Sequence, residues 1–140
     1  MSRIFWDTNL YIYLFENYGA FSQMTAALRT RMLQRSDQLF TSTLSLGEIL
    51  VKPLETKNLT LADQYEIAIK TTSVLLSLDT NAAKIYAGLR SDRSLRAPDA
   101  IQLACAASAK VDLFITNDAR LQGKQVDGIQ FIVPLDRVPI

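Results

Sequence analysis

Pro98-Asp99-Ala100-Ile101-Gln102-Leu103-Ala104-Cys105-Ala106-Ala107-Ser108-Ala109-Lys110-Val111-Asp112-Leu113-Phe114-Ile115-Thr116-Asn117-Asp118 is the stretch that decides the fold class. Ala100 to Ala109 is so apolar that a helix there has to be largely buried, and Pro98 suits its first turn, where a missing N–H costs nothing. Val111 to Ile115 then reads as a strong strand. Working outward, residues 3–6 (with Ile4, Phe5 and Trp6), Leu39 to Thr43, Ser73 to Leu78 and Ile129 to Val133 are further short strand-like runs, the last one ended by Pro134. Helical patterns lie between them. Residues 22–35 carry Ser22 as a cap, Met24, Leu28 and Met32 on one face, and Arg29, Arg31 and Arg35 on the rest. A second helix opens at Ser45-Leu46-Gly47-Glu48 and closes at Lys52-Pro53. Thr60 to about Lys70 and Thr80 to Arg93 complete the set, the latter with Ala83, Ala87 and Arg90 at related positions. Strands alternating with helices predict a parallel-sheet α/β sandwich.

The chain has 140 residues, enough for one domain with a real core, and the expected organisation is a single domain over 1–140. A hydrophobic share of 49% and a charged share of 21% describe an ordinary globular protein, with no repeat, linker or low-complexity stretch. No apolar run approaches a membrane span, and the N-terminus lacks the pattern of a signal peptide. A lone Cys105, inside the apolar helix, fits inert core and a reducing cytosol, so the expected location is cytoplasmic. The net charge of +1 gives no overall signature for nucleic acid, so binding RNA or DNA requires a local basic patch.

Composition also excludes chemistry. With no histidine and one cysteine, histidine bases, zinc clusters and Cys/His nucleophile pairs are ruled out. There is no Gly-x-Gly-x-x-Gly, P-loop or Gly-x-Ser-x-Gly. Carboxylates holding a hard metal ion are the leading remaining option. Asp7, Glu48, Asp99 and Asp118 each sit where an apolar run gives way to a helix-like segment. Asp7 and Asp118 follow strand-like runs and so belong at the carboxyl edge of a parallel sheet, while Glu48 and Asp99 fall in first turns of helices. Helix N-termini favour ionised carboxylates, and a divalent cation relieves the repulsion when several converge. Each acid also has a structural reading: Asp7 as a cap, Glu48 as the partner of Ser45 in a Ser-x-x-Glu capping box, Asp99 as a first-turn acid after proline, and Asn117-Asp118 as a turn.

Ile4-Phe5-Trp6-Asp7-Thr8-Asn9, Ser45-x-x-Glu48, Pro98-Asp99-Ala100-Ile101-Gln102-Leu103-Ala104 and Ile115-Thr116-Asn117-Asp118 together resemble the PIN-domain family. The likeness extends over nearly the full length and is strongest to the VapC-like ribonuclease toxins of type II toxin–antitoxin pairs. The resemblance implies a three-layer α/β/α sandwich with a central, mainly parallel sheet and a magnesium- or manganese-dependent endoribonuclease activity. It implies an RNA substrate, a small antitoxin partner and a homodimer. Asp7, Glu48, Asp99 and Asp118 match the family's acidic metal positions, and Thr8, Asn9, Thr116 and Asn117 its polar neighbours. Many members carry a further acid just after the last motif, where this chain has Ala119-Arg120, which leaves one-metal and two-metal catalysis both open.

Two further features belong to the expectation. Arg90, Arg93 and Arg96 recur every three residues before Asp99, so on a helix they form either a phosphate-gripping edge or a solvated helix end. Leu10 to Phe15, with Tyr18 and Phe21, is heavy in aromatics; core packing is the default, with some rings left for an interface. The alternatives to a toxin are a PIN-type RNA- or DNA-processing nuclease without an antitoxin, and a non-catalytic binding module whose acids are caps.

Overall fold

Short runs of alternating large apolar residues pair into one sheet, because each can fill both of its faces only when helices cover the two sides. The computed structural model describes residues 1–140. Its elements are β1 (Arg3–Trp6), α1 (Thr8–Phe15), α2 (Ala20–Arg35), β2 (Gln38–Ser42), α3 (Thr43–Glu55), α4 (Leu59–Thr72), β3 (Val74–Leu76), α5 (Thr80–Leu89), α6 (Ala97–Ser108), β4 (Val111–Ile115) and β5 (Ile129–Val133), with short 3-10 turns at Ala119–Leu121 and Leu135–Arg137. The strand order is β3-β2-β1-β4-β5, and every neighbouring pair is parallel.

Central β1 sets the register: Ile4 lies opposite Leu39 and Leu113, and Phe5 opposite Phe40 and Phe114. The two-residue period then sends Ile4, Trp6, Leu39, Leu113 and Ile115 to one face, where Leu10, Tyr11, Leu28, Met32, Ile49 and Ile69 from α1 to α4 cover them. Phe5, Phe40 and Phe114 point to the other face, against Ala82 of α5 and Leu103, Cys105, Ala106 and Ala107 of α6. The rings of Phe5 and Phe114 stack at 4.9 Å. This is the expected α/β/α sandwich, with a sheet that is wholly parallel. No helix is long and apolar enough to cross a membrane.

Several element ends differ from the sequence reading. The cap of α3 is Ser42, whose Oγ accepts from the Ser45 amide at 3.3 Å, so the helix starts two residues early and Ser45–Glu48 is not a capping box. It also runs past Pro53 to Glu55, although the proline has no N–H for the Ile49 carbonyl; Asn58 N–H donates to the Pro53 carbonyl at 2.8 Å. Ser22 does not cap α2, which starts at Ala20 after Gly19 (φ 62°); its hydroxyl instead ties the Tyr18 amide to the Glu16 carbonyl, both at 2.8 Å. The α5 helix stops at Leu89. Asp92 competes with further winding by accepting from the Ser94 amide at 3.0 Å and from its hydroxyl at 2.6 Å. The face of α5 turned to the core therefore carries Ala82, Ile85 and Leu89, not Ala83, Ala87 and Arg90.

Candidate active site

The chain leaves β1 for β2 and β3 on one side, then returns to the other side of β1 as β4. Ligand crevices in parallel sheets form at such a reversal, beyond the carboxyl ends of the strands. Asp7 follows β1 there and Thr116-Asn117-Asp118 follow β4. The α3 helix springs from the same end of β2, and α6, running back to feed β4, begins at the same edge. Topology thus delivers all four predicted acids to one cleft of about 250 Å³, lined by Asp7, Glu48, Asp99 and Asp118 together with Asn9 and Arg120. Larger hollows elsewhere, such as the one between Gly123 and Ile132, gather no comparable set of charged groups.

The acids are held in different ways. Asp7 accepts from the Thr8 amide at 2.8 Å, which makes it the cap of α1, and from the Thr116 hydroxyl at 2.6 Å. Asp7 therefore caps a helix and lines the cleft at once. Burial raises its pKa above the ordinary aspartate value; the Thr116 and Thr8 hydrogen bonds oppose that, and repulsion from Glu48 and Asp99 adds to it. Glu48 Oε1 accepts from the Thr8 hydroxyl at 2.6 Å, and Oε2 has no protein partner. Asp99 lies in the first turn of α6, directly after Pro98, with its Oδ2 3.8 Å from Arg120 Nη2. Asp118 accepts from the Arg120 amide at 3.0 Å and from Arg120 Nε at 2.9 Å; that guanidinium, more than any other group, holds its carboxyl below the usual range.

The other predicted residues divide. Thr116 does orient a carboxylate, and its oxygen also accepts from the Asp118 amide at 3.0 Å, so one hydroxyl positions two acids. Asn117 faces away: its Oδ1 accepts from the Leu135 amide at 2.9 Å, fixing the C-terminal segment, and it borders a separate hollow with Tyr13 and Phe21. The three arginines share no helix, because α5 ends before them. Arg90 lies 6.0 Å from the Tyr86 ring, Arg93 falls in the connecting turn, and Arg96, immediately before α6, is near enough to Asp118 to favour its ionised form. Among the aromatics Tyr11 is wholly buried and bonds Ser73 Oγ at 2.6 Å, which removes it from any interface; Tyr18 and Phe21 are 49% and 46% exposed. Burial pushes the Cys105 thiol up to about 11, consistent with inert core.

Sequence reading gave Gln102 no role, yet it links the acids. Its Nε2 donates to Ser45 Oγ at 2.7 Å and to Thr8 Oγ1 at 3.2 Å, and lies 3.4 Å from Asp7 Oδ1; its Oε1 accepts from Ser42 Oγ. The signal was present: one amide in an otherwise apolar, buried helix must find polar partners.

A hard divalent cation fits the donor set. The cleft offers carboxylate oxygens and the Asn9 side-chain oxygen, which is buried without any hydrogen-bond partner. No three acidic side chains close around one point in the cleft. Thr8 links Asp7 and Glu48, Thr116 links Asp7 and Asp118, and Arg120 lies between Asp99 and Asp118.

The PIN domain family model matches residues 4–126. The chain belongs to the PIN domain family. Among solved structures, this PIN domain aligns with a toxin–antitoxin complex from Klebsiella pneumoniae at 23% identity and TM-score 0.64, over 90% of this chain and 94% of that one. VapBC2 from Rickettsia felis, bound to a DNA fragment from its promoter, aligns at 12% identity and TM-score 0.71, over 94% and 98%. VapBC-5 from Mycobacterium tuberculosis, a member of the VapBC family of toxin–antitoxin systems, aligns at 20% identity and TM-score 0.59, over 95% and 99%. At these identities the likeness establishes the PIN fold. Comparison with curated proteins returns no significant match.

Proposed function

We propose that this PIN domain is a metal-dependent endoribonuclease that hydrolyses RNA phosphodiester bonds as the toxin of a toxin–antitoxin pair. The convergence of Asp7, Glu48, Asp99 and Asp118 on one cleft at the β1/β4 crevice carries the reading. PIN domains as a family use divalent metal ions. In this chain the four carboxylates and the Asn9 oxygen would hold magnesium or manganese. Such an ion, when bound, supplies Lewis acidity for the phosphodiester and activation of a water. The protein's part is to fix the acids: Thr116 and the Thr8 amide orient Asp7, and the Thr8 hydroxyl orients Glu48. Glu48 Oε2, free of protein partners at the exposed rim, is suited to take the proton from the attacking water. Arg96 supplies positive charge for the RNA backbone.

The structural neighbours that contain toxin–antitoxin complexes support a small antitoxin as partner. The exposed rings of Tyr18 and Phe21, packed on Tyr13, offer apolar anchors for a partner helix, with a partner arginine entering the acidic cleft. A homodimer in the cytoplasm completes the proposal, and light scattering of the purified protein tests its stoichiometry. The deciding experiment is cleavage of labelled RNA by purified protein with magnesium or manganese, with chelator, and with Asp99→Asn. Metal-dependent cleavage lost in the folded variant supports the reading. Full cleavage by the variant in chelator overturns it.

A further inference from the structure

Arg120 is the one cation that lines the acidic cleft. Its Nε is 2.9 Å from Asp118 Oδ1, and its Nη2 reaches Asp99 Oδ2 at 3.8 Å. Two carboxylates from different elements, the turn after β4 and the start of α6, thus share one guanidinium. The side chain is 48% exposed, so the guanidinium opens to solvent on one side. The opposite side of the cleft has no such cation: Asp7 and Glu48 receive only neutral donors, and the Asn9 oxygen has no donor at all.

We propose that Arg120 is a tethered counter-ion that occupies the Asp99–Asp118 side of the cleft and limits the protein to a single tightly held divalent cation. The inference rests on the metal-site reading above and adds a statement about stoichiometry and competition. An arginine hydrogen-bonded to Asp118 and within ion-pair distance of Asp99 uses oxygens a second divalent ion would need, and its positive charge repels one arriving nearby. A monovalent and a divalent cation about 6 Å apart under water-like screening repel enough to change an affinity by about tenfold. Because the tether is covalent, the competition does not depend on protein concentration. It can be released when a competing anion, such as an RNA phosphate, draws the guanidinium off Asp118.

Manganese binding to the intact protein tests this without reference to cleavage, by titration calorimetry and by the electron-spin signal of free manganese. The proteins compared are wild type, Arg120→Gln and Arg120→Lys, each first shown by circular dichroism and melting to be folded. The expected result is one tight manganese ion in wild type. Arg120→Gln should gain a second binding event, or bind the weaker ion at least about tenfold more tightly, and Arg120→Lys, which keeps the charge, should stay near wild type. Unchanged stoichiometry and affinity in Arg120→Gln, with the manganese binding seen in wild type lost in Asp7→Asn, overturn the Arg120 proposal while leaving the metal site standing. Failure of every form to bind manganese overturns both. A wild type that already binds two ions with similar affinity overturns the counter-ion role.

Discussion

Replacing Gln102 by leucine tests whether the buried polar network under the acids is part of the site or only part of the core. Gln102 is 3% exposed, and leucine nearly fills the same volume, so no cavity contribution arises. Its Oε1 accepts from the hydroxyl of Ser42, itself 1% exposed; without that acceptor the hydroxyl is a buried donor with no partner, at a cost of about 1–3 kcal/mol. Ser45 is not orphaned, since the Thr41 hydroxyl still reaches its oxygen at 2.8 Å. The leucine recovers some apolar burial, so the net loss should be about 1–2 kcal/mol, or roughly 3–8 °C in Tm. The site should suffer more. Thr8 loses the Nε2–H at 3.2 Å that fixes its hydroxyl toward Glu48, and Asp7 loses its neighbour at 3.4 Å. Losing groups that orient metal-binding carboxylates typically costs about 10–100-fold in metal affinity or activity. Melting in chelator, manganese titration and cleavage at saturating metal measure the three quantities. A variant that melts lower yet binds manganese and cleaves like wild type shows that the network only packs. A variant with unchanged Tm contradicts the assignment of Ser42 as dependent on Gln102.

Other outcomes follow from single observations. Asp7 has a raised pKa in the fold, so between its unfolded value of 3.8 and the folded one the native state binds more protons, and stability is lost as pH rises through that window. Asp118 acts in the opposite sense below 3.8, where falling pH removes its contribution. In chelator, the Tm advantage of Asp7→Asn over wild type should therefore grow from about pH 4 to about pH 7; an advantage that shrinks contradicts the sign. Gly128 has φ 97°, and a Cβ there would lie 2.6 Å from the Ala107 carbonyl oxygen, so Gly128→Ala should lower stability by at least about 1–3 kcal/mol in denaturant melts. Alanine at Tyr18 and Phe21 together should weaken co-purification of a small partner while leaving RNA cleavage near wild type. Equal loss of both functions would show that the rings support the fold.

The parts of the structure that depend on local apolar density were legible in the sequence. Residues 3–6, Val111–Ile115 and Ile129–Val133 are strands at the expected positions, because short buried runs have few alternatives. Helix ends were less legible, since they turn on competition between weak local bonds. Pro53 does not end its helix, which runs on to Glu55, and Asp92 stops one because Ser94 gives it a nearer partner. The four acids could be grouped by topology alone: strand ends and helix starts in a parallel sheet share an edge. Orientation within the group could not. Asn117 and Asn9 are the same side chain beside equivalent acids, yet Asn117 is captured by the Leu135 amide, which lies 18 positions away, while Asn9 is left unbonded at the cleft. No local pattern encodes which amide a folded C-terminal segment will present.

The acids also show why the site depends on the whole fold. Nothing in an unfolded chain would bring Asp7, Glu48, Asp99 and Asp118 together, since like charges oppose it. Two apolar layers hold β1 beside β4 and α6 against the sheet, and the acids come together as a consequence. The repulsion is then relieved in two different ways. At Asp118 it is relieved by a cation, Arg120, so that carboxyl stays charged. At Asp7 it is relieved by burial, which favours the neutral form despite hydrogen bonds that favour the charged one. Two carboxyls in one cleft are thereby pushed apart in acidity by their surroundings, the arrangement by which similar side chains take on different tasks. Arg120→Gln should therefore bring Asp118 closer to ordinary aspartate behaviour and add an uncompensated charge beside Asp99. In chelator it should lower Tm more at pH 7 than at pH 4, where protonation removes the repulsion. Carbon-13 titration of the carboxyl groups reads this directly. If the Asp118 signal titrates at the same pH in wild type and variant, Arg120 is not what keeps that carboxyl ionised.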